Sequence, residues 1–175
     1  MRHALIVGPQ GVGKSTLIRR VLKELGRPVF GFETRKEAAP ENGALGSPVY
    51  IYEAGKEHVQ RDADLVGRCG GRHISAVPEA FDRWAPKLRE EVPERAVVEL
   101  DELGFLEASS REFCAAVLAL LDGDIPVLAA VKDRDVPFLQ AVRSHPRCQC
   151  FYITRENREE LYGQVLAFLR EQMEA

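Results

Sequence analysis

Gly8-Pro9-Gln10-Gly11-Val12-Gly13-Lys14-Ser15 fits the pattern G-x-x-x-x-G-K-[ST], and its flanks decide the fold. Ala4-Leu5-Ile6-Val7 before it is a short apolar run, as a buried strand shows. Thr16 to Leu25 after it carries Leu17, Ile18, Val21, Leu22 and Leu25 on one helical face. Strand, glycine loop and helix is the context that separates a phosphate-binding loop from a glycine-rich turn with a chance lysine. The glycines let successive N–H groups converge on phosphate oxygens, and the helix N-terminus adds partial positive charge. Gly8, Pro9, Gln10, Gly11, Val12, Gly13, Lys14, Ser15 and Thr16 are therefore expected to hold a nucleoside triphosphate. Lys14 should reach the β- and γ-phosphates and Ser15 should hold Mg²⁺.

Working outward, the first helix should stop at Gly26, ahead of Pro28. Pro28–Thr34 and Pro48–Glu53 read as strands able to pair as an antiparallel ribbon, joined through a polar connection with Pro40, Asn42, Gly43 and Gly46. Ala54–His73 is polar, with Arg61, Arg68, Arg72, Gly67, Gly70 and Gly71. It suits either a mobile segment over the site or a plain surface loop. Pro78–Val92 has helical spacing, with Trp84 as a core anchor and Pro86 expected to kink or divide it. Arg95–Leu100 and the almost wholly apolar Ile125–Val131 read as parallel-sheet strands. Ser109 with Glu112 suggests a capping box for the helix between them. A short helix over Val136–Arg143, a strand over Gln149–Ile153 and a helix over Arg158–Gln172 complete the chain. Alternating strands and helices predict a single α/β domain over residues 1–175, with a mostly parallel sheet, helices on both faces and an antiparallel ribbon.

The 175 residues are 45% apolar and 29% charged, ordinary for a globular protein. A net charge of −3 argues against constitutive nucleic-acid binding. No apolar run approaches the roughly 20 residues of a membrane helix. With the glycine loop at Gly8, no signal peptide is expected, and the expected location is cytoplasmic. Cys69, Cys114, Cys148 and Cys150 do not have zinc-site spacing and read as packing residues.

Val97-Val98-Glu99-Leu100-Asp101-Glu102 places carboxylates at a strand end. A Walker B aspartate completes the Mg²⁺ shell from such a position, so Asp101 joins Ser15 as an expected metal residue. Glu102 is placed to orient or deprotonate an attacking water. Glu99 interrupts the apolar strand without an evident partner. Lys132 and Arg134 follow the apolar strand at its C-terminal end, where open α/β sheets bind ligands. Both are candidates for meeting transition-state charge, with Arg134 the expected catalytic residue and solvated loop charge the alternative. Asn157 with Glu160 fits an N-cap for the last helix, and Arg158 stands where it could border the nucleotide.

These stretches together resemble the small P-loop nucleoside-triphosphatases of the cancer-related, or THEP, type. The resemblance rests on GPQGVGKSTL at Gly8–Leu17, GFET at Gly31–Thr34, DELGFLE at Asp101–Glu107 and ITRENR at Ile153–Arg158. It implies a three-layer P-loop NTPase fold. It also implies slow Mg²⁺-dependent hydrolysis of ATP, GTP and other triphosphates to diphosphates. Lys14, Ser15, Asp101 and Glu102 keep their roles, and Glu107 matches the family's second acid. Leu106 stands where the family usually has methionine, and the segment after Thr34 departs from the family's basic pattern. No N-K-x-D base reader is present, so strict guanine selectivity is not expected. A kinase with an arginine-bearing lid and a nucleotide-regulated interaction module are the competing functions, the latter with a partner the sequence does not name.

Overall fold

The computed structural model describes residues 1–39, 45–70 and 73–174. Pro40, Asn42, Gly43, Gly71 and Arg72, discussed above as loop residues, lie outside the described residues. The elements run β1 (His3–Gly8), α1 (Lys14–Leu25), β2 (Val29–Lys36), β3 (Ser47–Glu53), β4 (Leu65–Gly70), β5 (His73–Ala76), α2 (Pro78–Leu88), β6 (Val97–Leu103), α3 (Arg111–Asp122), β7 (Val127–Lys132), α4 (Pro137–Arg143), β8 (Cys148–Tyr152) and α5 (Arg158–Glu174).

β1 is buried along its whole length, and strand alternation divides it between two cores. Leu5 and Val7 pack with the side chains of α2, α3 and α4, while Ala4 and Ile6 pack with those of α1 and α5. Helices thus cover both faces, giving three layers. The strand order is β5-β4-β3-β2-β6-β7-β1-β8 in one eight-stranded sheet. β2, β6, β7, β1 and β8 are mutually parallel, so Lys36, Leu103, Lys132, Gly8 and Tyr152 end their strands at one edge of the sheet. β3, β4 and β5 extend the sheet beyond β2 as antiparallel strands.

Several local expectations change. The antiparallel part is larger than a ribbon, because Ala54–His73 is only in part the expected loop: residues 54–61 are irregular, but a strand follows. After a 3₁₀ turn at Asp62–Asp64 it forms β4, paired with β3 and β5. α2 ends at Leu88, and Pro86 lies inside its last turn without dividing it. There a proline costs one hydrogen bond to a helix that is about to end. Trp84 is buried as expected, and its Nε1 donates to Asp64 Oδ1 at 2.9 Å. The cap of α3 is Ser110, not Ser109: Ser110 Oγ accepts from the Phe113 amide, while Ser109 Oγ donates back to the Leu106 carbonyl. Cys148 and Cys150 both pack in the α2–α4 core, and the four cysteines are free thiols. Among the described residues, no helix is long and apolar enough to cross a membrane.

One charged-type side chain is fully buried away from the strand ends just described. His3, at the start of β1, has its Nε2 donating to the Leu121 carbonyl (2.8 Å) and its Nδ1 accepting from the Val127 amide (3.2 Å). Both partners are backbone groups of fixed polarity, so the ring is the neutral Nε2–H tautomer. Burial pulls its pKa down to about 4.

Candidate active site

The loop between β1 and α1 turns through Gly11 and Gly13, both at positive φ (74° and 109°), a conformation glycine adopts without steric cost. A cavity of about 300 Å³ opens there, lined by Gln10, Gly11, Gly13, Lys14, Ser15, Thr16 and Glu102. Lys14 is 4% exposed, and its Nζ donates to the carbonyls of Gly8 (2.8 Å) and Pro9 (2.7 Å). Its pKa is lowered by burial, opposed by the nearby Glu102 carboxylate. A second cleft of about 320 Å³ adjoins the loop, between Pro9, Gln10, Gly11 and Val12 on one side and Ile153, Thr154, Arg155 and Glu156 on the other.

The opposite wall comes from β6. Ser15 Oγ donates to Asp101 Oδ1 at 2.8 Å. β6 pairs Asp101 with Ala130 and Leu103 with Val131 of β7, so Glu102 is an extra residue in a bulge. A bulge re-aims a side chain that regular alternation would point elsewhere. Here it sends Glu102 to the cavity mouth, with Oε2 3.6 Å from Lys14 Nζ and Oε1 3.1 Å from Lys132 Nζ. Thr34 supports the bulge, its Oγ1 accepting from the Glu102 amide at 3.3 Å. Behind it Glu107, 3% exposed, accepts the Gly104 amide at 2.9 Å, and burial lifts its pKa to about 7. Its Oε2 therefore pins the turn that follows Glu102.

A third group lies deeper, between β2 and β6. Gly31 pairs with Glu99 and Glu33 with Asp101. Gly31 sits at φ 125°, and a Cβ there would collide with the Glu99 carbonyl oxygen; only glycine lets the strands approach this closely. Arg35 bridges Glu33 and Asp101, reaching Asp101 Oδ2 at 3.2 Å. His58 Nε2 meets Glu33 Oε2 at 2.7 Å and its ring stacks on Tyr52, with centroids 4.3 Å apart. Glu99, 3% exposed, has its Oε1 without a hydrogen-bond partner among the described residues. Burial, then the carboxylates of Glu33 and Asp101, raise its pKa to about 8. Asp101 is also raised by burial, against the pull of Arg35 and Ser15.

The model of a family described as NTPase matches residues 3–166. The chain belongs to this NTPase family. It is 30% identical to the cancer-related nucleoside-triphosphatase homolog of Mus musculus over 188 residues, covering 97% of each chain. Its identity to the nucleoside-triphosphatase THEP1 of Thermococcus kodakarensis is 28%, over 92% of this chain and 90% of that protein. The crystal structure of THEP1 from the hyperthermophile Aquifex aeolicus matches with a TM-score of 0.70 at 26% identity, over 95% of this chain and 98% of that one. The three-layer architecture is that of the P-loop NTPases.

Within this NTPase frame the expected residues divide into groups. Gln10, Gly11 and Gly13–Thr16 line the phosphate cavity, and Pro9, Gln10, Gly11 and Val12 line the adjoining cleft, while Gly8 is tucked beneath the loop against Ile153. Ser15 and Asp101 meet directly. Arg158 lies along the loop, its Cδ 3.2 Å from where a Gly13 Cβ would stand, and its Nε donates to the Arg155 carbonyl at 3.2 Å. Arg134 is not brought in: its side chain is exposed, and Lys132 is the cation at Glu102. The Asn157 side chain does not cap α5 with Glu160. Its Oδ1 accepts from the Thr154 amide (2.8 Å) and its Nδ2 donates to the Tyr152 carbonyl (2.9 Å), which fixes the turn lining the second cleft. Glu33, Arg35 and His58 were missed. The available signal was the C-terminal end of β2, which in a parallel sheet shares an edge with Gly8 and Asp101.

Proposed function

We propose that this NTPase hydrolyses nucleoside triphosphates to diphosphates with a divalent cation, takes water as the acceptor, and tolerates several bases. The observation that carries the reading is Glu102, a carboxylate at the mouth of the phosphate cavity held between Lys14 and Lys132. Phosphoryl transfer needs alignment and charge neutralisation rather than covalent help. The loop amides and Lys14 would grip the phosphate oxygens, with Lys14 leaving its two carbonyl partners to do so. Lys132 then provides a second cation for charge that builds up in the transition state. Glu102 orients the water and accepts its proton.

The residues present fit Mg²⁺. Ser15 and Asp101 offer hard oxygen donors already in contact, which suits an ion that takes few protein ligands and keeps much of its water. When bound, Mg²⁺ would neutralise phosphate charge there. Base tolerance is supported by the second cleft, whose walls are P-loop residues and the short turn after β8. Against a kinase lid, Arg68 lies on β4, inside the sheet rather than over the loop.

Glu102→Gln tests the reading. It keeps shape and removes charge, so triphosphate binding should persist while single-turnover hydrolysis falls ~10²-fold or more, the scale of a lost general base. Retained hydrolysis would sink it. Phosphate release from a triphosphate panel should be unchanged by added nucleosides, nucleoside monophosphates or sugars. Acceleration with phosphorylation of the additive would make the protein a kinase.

A further inference from the structure

The group between β2 and β6 gathers three buried carboxylates, one of which has an oxygen with no partner among the described residues. Glu33, Glu99 and Asp101 each bring a carboxylate oxygen to a place where all three lie within 4.8 Å of one another. They are 8%, 3% and 1% exposed. The guanidinium of Arg35 is bonded to two of them, Glu33 and Asp101, and leaves Glu99 out. His58 also sits on Glu33, so among the described residues neither of these side-chain partners of the trio reaches Glu99. Glu99 Oε1 is the decisive atom. It is sealed from solvent, has no hydrogen-bond partner among the described residues, and belongs to the carboxylate whose neighbours are two more carboxylates. A buried carboxylate oxygen without a donor is costly, and an ion or a donor is the usual remedy.

Asp101 presents two different sides. Oδ1 accepts from Ser15, at the phosphate cavity, while Oδ2 faces Arg35 and the trio. A carboxylate so placed can serve one ion on each side, as in enzymes where two metal ions share ligands. The outer side of the trio is also braced in the way ligating carboxylates are: His58 holds Glu33 Oε2, and Tyr52 stacks on His58.

We propose that Glu33, Glu99 and Asp101 form a second divalent-cation site, distinct from the Ser15–Asp101 position and sharing Asp101 with it. Three closely spaced carboxylates, all hard oxygen donors, suit Mg²⁺ or Mn²⁺. The donors are already in place in the free protein, so this site fills without nucleotide, unlike a P-loop metal that relies on phosphate oxygens. The proposal stands apart from the hydrolytic reading, because its test needs neither nucleotide nor turnover.

The experiment is Mn²⁺ titration of the nucleotide-free full chain, with free Mn²⁺ followed by electron paramagnetic resonance. Wild-type protein should bind one equivalent, and Mn²⁺ should raise its melting temperature. Glu99→Gln, close in size and uncharged, should weaken that binding at least about 10-fold and remove the thermal shift. Glu33→Gln should do the same, and it decides the matter if Glu99→Gln does not fold. Ser15→Ala should keep the nucleotide-free ion. The proposal fails if wild-type protein binds no Mn²⁺ without nucleotide, or if both glutamine variants bind it as wild type does. It fails equally if Ser15→Ala loses the ion as completely as Glu99→Gln, which would put the ion at the P-loop.

Discussion

The two walls of the P-loop cavity are built by different means. The P-loop wall consists of one short stretch, Gln10, Gly11 and Gly13–Thr16, running from the end of β1 into the start of α1. Facing it stands Glu102 of β6, backed by side chains from several elements: Glu33 and Arg35 of β2, Glu99 and Asp101 of β6, and Lys132 of β7. The first wall is specified by local sequence and needs little from the rest of the chain. The second exists only because the sheet brings β2, β6 and β7 side by side. A local wall should be broken by changing one group, a non-local wall by changing how strands meet.

The largest effect is expected on the P-loop wall. Lys14→Ala removes the lysine that lines the cavity and should abolish turnover and weaken triphosphate binding. Steady-state phosphate release at saturating triphosphate checks this. Wild-type hydrolysis by the purified variant would mean the chemistry lies elsewhere.

The corresponding break in the second wall is a backbone one. Gly31→Ala forces a Cβ into the Glu99 carbonyl at a positive φ, so β2 must move away from β6. Destabilisation of roughly 3 kcal/mol or more is expected, in the range of strained and overpacked core substitutions. Urea unfolding of Gly31→Ala against wild type measures it, and a loss below about 1 kcal/mol would show that the strands are free to separate.

Acid and base act in opposite directions on His3, at the far end of β1 from the P-loop, and on Glu99, behind the second wall. His3 anchors the start of β1, and its folded pKa of about 4 lies below its ordinary 6.5. Its neutral form therefore stabilises the fold above pH 6.5, and this is lost as pH falls through 4. The full difference amounts to about 3 kcal/mol. Glu99 is the reverse case. Its folded pKa of about 8 lies above its ordinary 4.5, so the fold favours its protonated form. Stability falls as pH rises from 4.5 towards 8. Metal-free protein should melt highest between these limits. Between pH 4.5 and 6.5 the two slopes oppose each other; above 6.5 Glu99→Gln should remove the decline, and below 4.5 His3→Gln should remove the fall. A wild-type melting temperature constant from pH 4 to pH 8 would contradict both assignments.

How much of this was legible in the sequence follows the same division. β1, the glycine loop and α1 were readable because their pattern is contiguous, and β7 because a central parallel strand is apolar on both faces. Asp101 and Glu102 were readable as a strand end, although the bulge that aims Glu102 was not. β4 was hidden because Gly67 and Arg68 read as loop residues. In the sheet Gly67 is needed: a Cβ there would stand 2.5 Å from the Ser75 carbonyl oxygen of β5. Glu33, Arg35 and His58 could not be joined to Glu99, since their meeting depends on β2 pairing in parallel with β6 across more than sixty residues. Ser109 and Ser110 are adjacent hydroxyls with nearly equal claims to cap α3, and the 3₁₀ turn at Glu107–Ser109 gives the role to the second.

The smallest effect separates two cations that the sequence places side by side. Lys132 and Arg134 both follow β7, and either charge could have met the transition state. β7 ends with Lys132 beside β6, and its Nζ reaches Glu102 Oε1 at 3.1 Å. Two residues later the chain has left the sheet. The Arg134 carbonyl accepts from the Arg143 guanidinium, which holds the backbone against α4, and the Arg134 side chain is left in solvent. A cation acts on developing charge only from a fixed position in a partly dry site. Lys132→Ala should therefore lower kcat by roughly 10- to 100-fold, consistent with losing one charged stabilising group. Arg134→Ala should change kcat less than about 2-fold, as surface charges distant from the chemistry do. Single-turnover rates of the two variants, at equal triphosphate occupancy, give the comparison directly. Equal losses would mean that the loop after β7 closes over the bound nucleotide and carries Arg134 in with it.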